Sequence, residues 1–202
     1  MSSIRHLANR LTAARAALVA LTMIVTAVSA PARAQQQQGQ AALDVKSATH
    51  LRAEYLADLD TLHSKITELA KAIPGDKYGW RPSPDVRTVA QVLMHVASEF
   101  YYYTPRSIGG QPPVDYGPAQ AKNAALEKVT AKAEVLDHLE KSWAHTKAQF
   151  AGSDAANLTG SYQPWNMPLD RAAFSMDGDL HEHLGQLIAY ARSVGVRPPW
   201  TK

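Results

Sequence analysis

The stretch that decides the fold is Asp179-Leu-His-Glu-His183-Leu-Gly-Gln-Leu187-Ile-Ala-Tyr-Ala191. Its apolar positions recur at steps of three and four residues, which is the spacing of one face of an α-helix. Gly195 follows where a left-handed C-terminal cap belongs, and Pro198-Pro199 prevents continuation. The stretch therefore predicts an amphipathic helix with a clear end, whereas Gly178 interrupts the pattern at its start.

Three earlier segments have the same periodicity. The first spans residues 43 to 72 and stops at Pro74-Gly75. The second begins at Thr88, a good N-cap, and ends near Pro105. The third runs from about residue 121 to 150, after a long loop rich in proline and glycine. With no strand-like alternation, the sequence predicts an all-α four-helix bundle with a long connection between helices two and three.

The first 34 residues resemble a signal peptide. A basic start is followed by an apolar run over residues 16–28 and by Ala32-Arg33-Ala34, a small-x-small cleavage pattern. Cleavage after Ala30 is a rival, but it would leave Pro31 first. A retained anchor is a second alternative, although the apolar run is shorter than the roughly 20 residues that span a bilayer.

We therefore predict three parts of the chain: a signal peptide over residues 1–34, a flexible Gln-rich leader over 35–42, and one domain over 43–202. The predicted protein is exported, to the periplasm or outside the cell, with no stable membrane insertion once the signal is removed. The chain contains no cysteine, which excludes both disulfides and attachment of lipid to an N-terminal cysteine.

Export also changes the charge balance. The whole chain has 21 Lys and Arg against 18 Asp and Glu. Four of the basic residues lie in the predicted signal, which contains no acidic residue, so 17 basic and 18 acidic residues remain. A net charge of −1 gives no compositional support for binding to nucleic acid.

Two pairs of polar residues have the spacing of a shared helix face. Asp179 and His183 are four residues apart, and so are His95 and Glu99 on helix two. If the two helices face each other, these side chains converge, and imidazole with carboxylate suits Zn²⁺, Ni²⁺, Fe²⁺ or Mn²⁺. His181 points about 200° away and is predicted to lie at the surface or to support a ligand. The alternative is that the pairs are solvated ion pairs or core histidines.

Two longer motifs carry a family resemblance. The first consists of Asp76-Lys-Tyr-Gly-Trp80-Arg-Pro82-Ser-Pro84 and the run from Thr88 to Glu99, and the second is the run from His181 to Pro199. Together they resemble the DinB/YfiT-like family over about the whole mature domain. The resemblance implies a four-helix bundle that binds a divalent metal through three histidines, one on helix two and a His-x-x-x-His pair on helix four.

In that comparison His95 and His183 match family ligands, whereas Asp179 stands where relatives have the third histidine. The resemblance thus implies two histidines and one carboxylate as metal ligands. Gln186 is separately predicted to hydrogen-bond a ligating histidine. Relatives include thiol-dependent transferases and isomerases, which suggests a thiol or another small molecule as substrate. An exported protein meets little of the cytoplasmic thiol pool, which argues against carrying that substrate over directly.

Two functional hypotheses follow. In the first, a metal at His95, Asp179 and His183 activates a bound water or thiol for hydrolysis or transfer, with Glu99 as a catalytic base or further ligand. In the second, the chain is a non-catalytic binding or structural bundle, which could form a homodimer, and its metal site is degenerate.

Other aromatic and histidine residues are given no part in the chemistry. Trp80 and Tyr101 to Tyr103 are predicted either to wall a pocket or to cap the bundle. Four further histidines are predicted at the surface: His50, His63, His138 and His145.

Overall fold

A computed structural model describes residues 43–159, 161–162 and 167–201. The predicted signal peptide and leader lie outside these residues. The α-helices are α1 (Val45–Ala72), α2 (Val89–Ser98), α3 (Thr104–Arg106), α4 (Ala119–Leu126), α5 (Lys132–Gly152) and α6 (Leu169–Ser193). Two-residue strands β1 (Ser161–Tyr162) and β2 (Met167–Pro168) pair antiparallel just before α6.

Helix α1 begins at an N-cap and buries one face. The carboxylate of Asp44 accepts a hydrogen bond from the backbone N–H of Ser47 at 2.8 Å, which satisfies one free donor of the first turn. Along the helix, apolar side chains at helical spacing are almost completely buried, among them Leu59, Ile66 and Leu69. The predicted first helix therefore matches α1 closely.

Helix α2 starts with a capping box. The Thr88 hydroxyl accepts a hydrogen bond from the Gln91 backbone N–H at 3.2 Å, and the Gln91 side chain accepts one from the Thr88 N–H at 2.9 Å. The helix then widens into a π-helical segment, Glu99–Tyr103, before the short turn α3. π-Helical segments are rare in proteins as a whole, but those that occur often lie at functional sites. This one begins at Glu99.

The predicted third helix is wrong as a single element. The chain forms α4 and α5 instead, separated by residues 127–131, and Ala131 has an extended backbone. The turn closes through a hydrogen bond from the Val129 N–H to the Leu126 carbonyl at 2.9 Å. Beside this break, the Glu127 side chain contacts Arg87 and His95. Helical periodicity does not predict these contacts.

Helix α6 begins at Leu169, earlier than the sequence pattern suggested, and continues through Gly178. A glycine inside a helix costs about 1 kcal/mol relative to alanine, which burial of the apolar face offsets. The helix ends as predicted: Gly195 has a φ of +82°, and the Val196 N–H donates to the Ala191 carbonyl at 2.8 Å.

The four longest helices share one core. Helix α1 packs chiefly against α6, α2 packs chiefly against α5, and α2 also contacts α6. Buried side chains from all four form a single hydrophobic cluster. The prediction of an all-α fold is confirmed, with the small β1–β2 pair as an addition to it. Over the described part of the chain, no helix is both long enough and apolar enough to span a membrane.

Candidate metal centre

The contact between α2 and α6 brings together two histidines and one carboxylate. Oε1 of Glu99 lies 3.3 Å from Nε2 of His95 and 3.3 Å from Nε2 of His183. The two imidazole rings are nearly perpendicular, with centroids 5.0 Å apart. Each residue contributes one potential ligand atom, and all three atoms lie within 4.8 Å of one another. We call these three residues the His–Glu–His trio.

The spacing within the trio fits a single cation. Atoms bound to one metal ion at about 2.0 Å in a tetrahedral arrangement lie about 3.3 Å from one another. Both measured distances to Glu99 Oε1 equal that value. The second carboxylate oxygen, Oε2, is buried and has no hydrogen-bond partner. Because a buried polar atom without a partner is unfavourable, this oxygen is also available to a cation.

Both histidines are oriented through their other ring nitrogen. Nδ1 of His95 lies 3.1 Å from Oε1 of Glu127, and Nδ1 of His183 lies 3.3 Å from Oε1 of Gln186. With Nδ1–H as the donor in each case, the Nε2 atom that faces Glu99 would present its lone pair to a cation once the cation replaces the Nε2 proton. A carboxylate or amide oxygen behind a histidine is the usual support of a metal-ligating imidazole. The position of Gln186 agrees with the sequence-based expectation.

These supports belong to wider hydrogen-bond chains. The guanidinium of Arg87 contacts the same Glu127 oxygen at 3.1 Å. On the other side, Nε2 of Gln186 donates to the Tyr190 hydroxyl at 3.1 Å, which in turn donates to the Arg87 carbonyl at 3.2 Å. The two chains meet at Arg87, so the backbone before α2 is connected to both histidines.

Glu99 is held as a carboxylate although it is only 2% exposed. Burial alone would raise its pKa, but hydrogen bonds from His183 and His95 outweigh burial and lower the pKa to about 2. The same contact shifts the pKa of the His183 imidazole in the opposite direction. Burial lowers the pKa of His183, but its hydrogen bond to Glu99 outweighs that effect and raises the pKa. Glu99 is therefore ionised in the folded protein, and the contact with it favours the protonated form of His183.

Asp179 lies next to the trio without joining it. Its side chain lines the same cavity as His95 and Glu99, together with Tyr103. Partial burial and the adjacent Glu99 carboxylate raise the pKa of Asp179 to about 6. Two carboxylates at one site repel each other, and a bound cation would relieve the repulsion. Of the four residues predicted to carry chemistry, His95, Glu99 and Asp179 line this cavity, and His183 contacts Glu99.

His181 lies on another face of α6, as its spacing predicted. Its Nε2 contacts Oδ2 of Asp58 on α1 at 2.6 Å, and about half of its side chain is exposed. Asp177 completes a second group whose ligand atoms lie within 4.8 Å of one another. Exposed groups of this kind are common without a metal, and we interpret this one as an ion pair between α1 and α6.

Other expectations from the sequence have mixed outcomes. Trp80 packs edge-on against Tyr190, with ring centroids 5.3 Å apart, and Tyr103 is the aromatic residue that lines the cavity. The prediction that His63 is a surface residue is wrong, because it is 8% exposed and stacked on Trp143 at 5.1 Å. Glu127 is the supporting residue that sequence reasoning missed, because nothing in its spacing signals a contact with His95.

The fold and the trio define a helical protein with a candidate divalent-cation centre made of two histidines and a carboxylate. The family model for the DinB superfamily matches residues 58–187, and the chain belongs to that superfamily. A comparison with curated proteins found no match. Membership of the superfamily and the trio together support metal binding, and neither identifies the metal.

Proposed function

We propose that this protein is a metal-dependent hydrolase or transferase that acts on a small molecule. The observation that carries the proposal is the position of Glu99 Oε1, 3.3 Å from Nε2 of both His95 and His183. Two nitrogens and one oxygen suit Zn²⁺, Ni²⁺, Fe²⁺ or Mn²⁺ and leave coordination positions open. When bound, such a cation supplies Lewis acidity at the open positions.

The residues around the centre divide into holding and proton-transfer roles. We infer that the trio holds the cation, because Glu99 is buried and already contacts both imidazoles. Asp179 lines the cavity beside the trio and is less buried, so a substrate proton can reach it. A carboxylate in that position suits a general base. These roles exchange those that the sequence suggested for Glu99 and Asp179.

Metal content is the first test. The chain is purified without a histidine tag, and its metals are measured by elemental analysis before and after reconstitution with each of the four cations. We expect one equivalent of metal per chain, together with hydrolysis of small uncharged esters or amides that disappears on chelation and returns with the metal. A chain that retains no metal after reconstitution would contradict the proposal.

A second candidate function is a non-catalytic binding or structural bundle. Its support is that Glu99 lies 3.3 Å from Nε2 of both histidines, so the three side chains can also serve one another as an ion network. Loss of the third family histidine at position 179 would then mark a degenerate site. A homodimer would suit this function, and sedimentation analysis at several concentrations would detect it. Metal binding with no activity on any substrate favours this candidate.

Export belongs to the proposal as well. Its support is the basic, apolar and small-residue pattern of residues 1–34. We expect mass spectrometry of exported protein to show an N-terminus at Gln35. Recovery of the full-length chain from membranes would contradict this expectation.

A further inference from the structure

The lining of the cavity beside the candidate centre is chemically mixed. It includes the carboxylates of Glu99 and Asp179 and the apolar side chains of Met167, Ala172 and Met176. The cavity volume is about 380 Å³, near the lower end of the roughly 300–1,000 Å³ that is usual for small-molecule sites. None of its lining residues in the described part of the chain is a lysine or an arginine.

The charge of the site disfavours the binding of anionic ligands. The two carboxylates balance the two positive charges of a divalent cation, so the proposed loaded centre has no net positive charge. An anionic group that enters the cavity must also approach Asp179. The repulsion energy between two like charges close together at a protein surface is several-fold larger than in bulk water. No basic side chain in the described lining offsets this repulsion.

The apolar part of the lining is suited to a compact aliphatic group. Ala172 is completely buried and Met176 is 8% exposed, so both lie on the face of α6 that packs into the fold. Methionine side chains are flexible and polarisable, and they adapt to the shape of an apolar ligand. A short aliphatic group of a ligand would therefore contact Met176 and the partly buried Met167 in place of water.

We propose that the site takes an uncharged or positively charged small molecule with a compact aliphatic group, and that it rejects carboxylates and other anions of the same shape. This inference rests on the proposed function for the identity of the site, and it adds the substrate class. The residues that set the preference are Asp179, through its charge, and Met176, through its apolar side chain.

Three probes of one shape and different charge test the inference. They are 3-methylbutylamine, 3-methyl-1-butanol and 3-methylbutanoate, which are cationic, neutral and anionic at pH 8. Binding to the intact chain is followed by NMR of ¹³C-labelled methionine methyl groups, with Met167 and Met176 as reporters and Met94, buried in α2, as an internal reference. Each titration is carried out with metal-free protein and with Zn²⁺-loaded protein.

We expect the amine and the alcohol to shift the Met167 and Met176 signals at concentrations at least about tenfold lower than the carboxylate does. Asp179→Asn should reduce this preference by about tenfold. Glu182→Gln removes the same charge from an exposed position on α6 and should leave the preference unchanged. If both variants reduce the preference equally, it reflects total charge and the inference is wrong.

Failure of the inference is distinguishable from failure of the proposed function. If 3-methylbutanoate binds as tightly as the other probes, or if no probe shifts the two methionine signals, the substrate class is wrong even when Zn²⁺ binds. If Zn²⁺ does not bind, the proposed enzyme is wrong, and the ranking of the three probes in metal-free protein still decides whether the cavity selects against anions.

Discussion

At the scale of single residues, the support of His95 is the least predictable part of the site. Glu127 lies 32 positions further along the chain, in the break between α4 and α5. Spacing within helices predicts that His95 shares a face with Glu99, and that Asp179 shares one with His183, because both pairs are four residues apart. It gives no information about a side chain that approaches from a turn.

Glu127→Gln tests that support. The amide retains the size of the side chain but removes the negative charge that faces Nδ1 of His95, so the imidazole becomes a weaker ligand. We expect Zn²⁺ affinity to fall by about 10- to 100-fold. Calorimetric titration of the metal-free protein measures the change. Glu134→Gln, at an exposed position in the first turn of α5, is the control and should bind Zn²⁺ like the wild type.

Asp179→Asn separates metal binding from stability. Because the pKa of Asp179 is raised to about 6, its ionised form destabilises the metal-free fold above that pH. We therefore expect the variant to be more stable by about 1 kcal/mol at pH 8, after allowance for solvent screening of a partly exposed group. Urea denaturation measures this difference.

Asp179→Asn and Glu99→Gln together test the roles of the two carboxylates. If Glu99 is the ligand and Asp179 the base, Glu99→Gln should weaken Zn²⁺ binding much more than Asp179→Asn does. Equal losses of affinity would show that Asp179 is a ligand, as the sequence originally predicted.

At the scale of elements, helix ends and helix faces were predictable, whereas interruptions were not. Thr88 and Gly195 mark the start of α2 and the end of α6 because capping requires particular side chains or a positive φ. The division of the third predicted helix accompanies tertiary contacts of Glu127, and the π-helical segment at Glu99 changes the turn without changing the apolar pattern. Neither has a signal in periodicity.

Thr88→Ala tests the start of α2. The substitution leaves the Gln91 N–H without its hydrogen-bond acceptor, so we expect a loss of about 1 kcal/mol in the free energy of unfolding. Thr61→Ala is the matched control, since Thr61 lies exposed in the middle of α1 and its hydroxyl only bonds back to Ala57. Urea denaturation should show almost no loss for the control, and an equal loss in both would exclude a capping effect.

At the scale of the whole molecule, the all-α fold followed from apolar periodicity, because each helix has one face that must be buried. Periodicity does not specify which helices are neighbours. The contact between α2 and α6 that assembles the trio was expected from the spacing of its residues and from the family resemblance, and the structure contains that contact. The cavity with its methionine wall needed the three-dimensional packing of β2 and α6.

The trio should also make stability depend on acid. The folded pKa of Glu99 is lowered to about 2 from an ordinary value of 4.5. Its contribution is therefore complete above pH 4.5 and is lost as pH falls toward 2. We expect the stability difference between wild type and Glu99→Gln to shrink from about 3 kcal/mol as the pH decreases through this window. A difference that stays constant from pH 6 to pH 3 would contradict the ionised, hydrogen-bonded state of Glu99.

The most direct test of the metal centre is calorimetric titration of metal-free protein with Zn²⁺, for wild type, His183→Ala and His50→Ala. His183 contributes one of the three donor atoms, whereas His50 is exposed on α1 and lies outside the trio. We predict one equivalent of bound Zn²⁺ for wild type and for His50→Ala, and no stoichiometric binding for His183→Ala. Binding of Zn²⁺ by His183→Ala as tightly as by wild type would contradict a metal centre at the His–Glu–His trio.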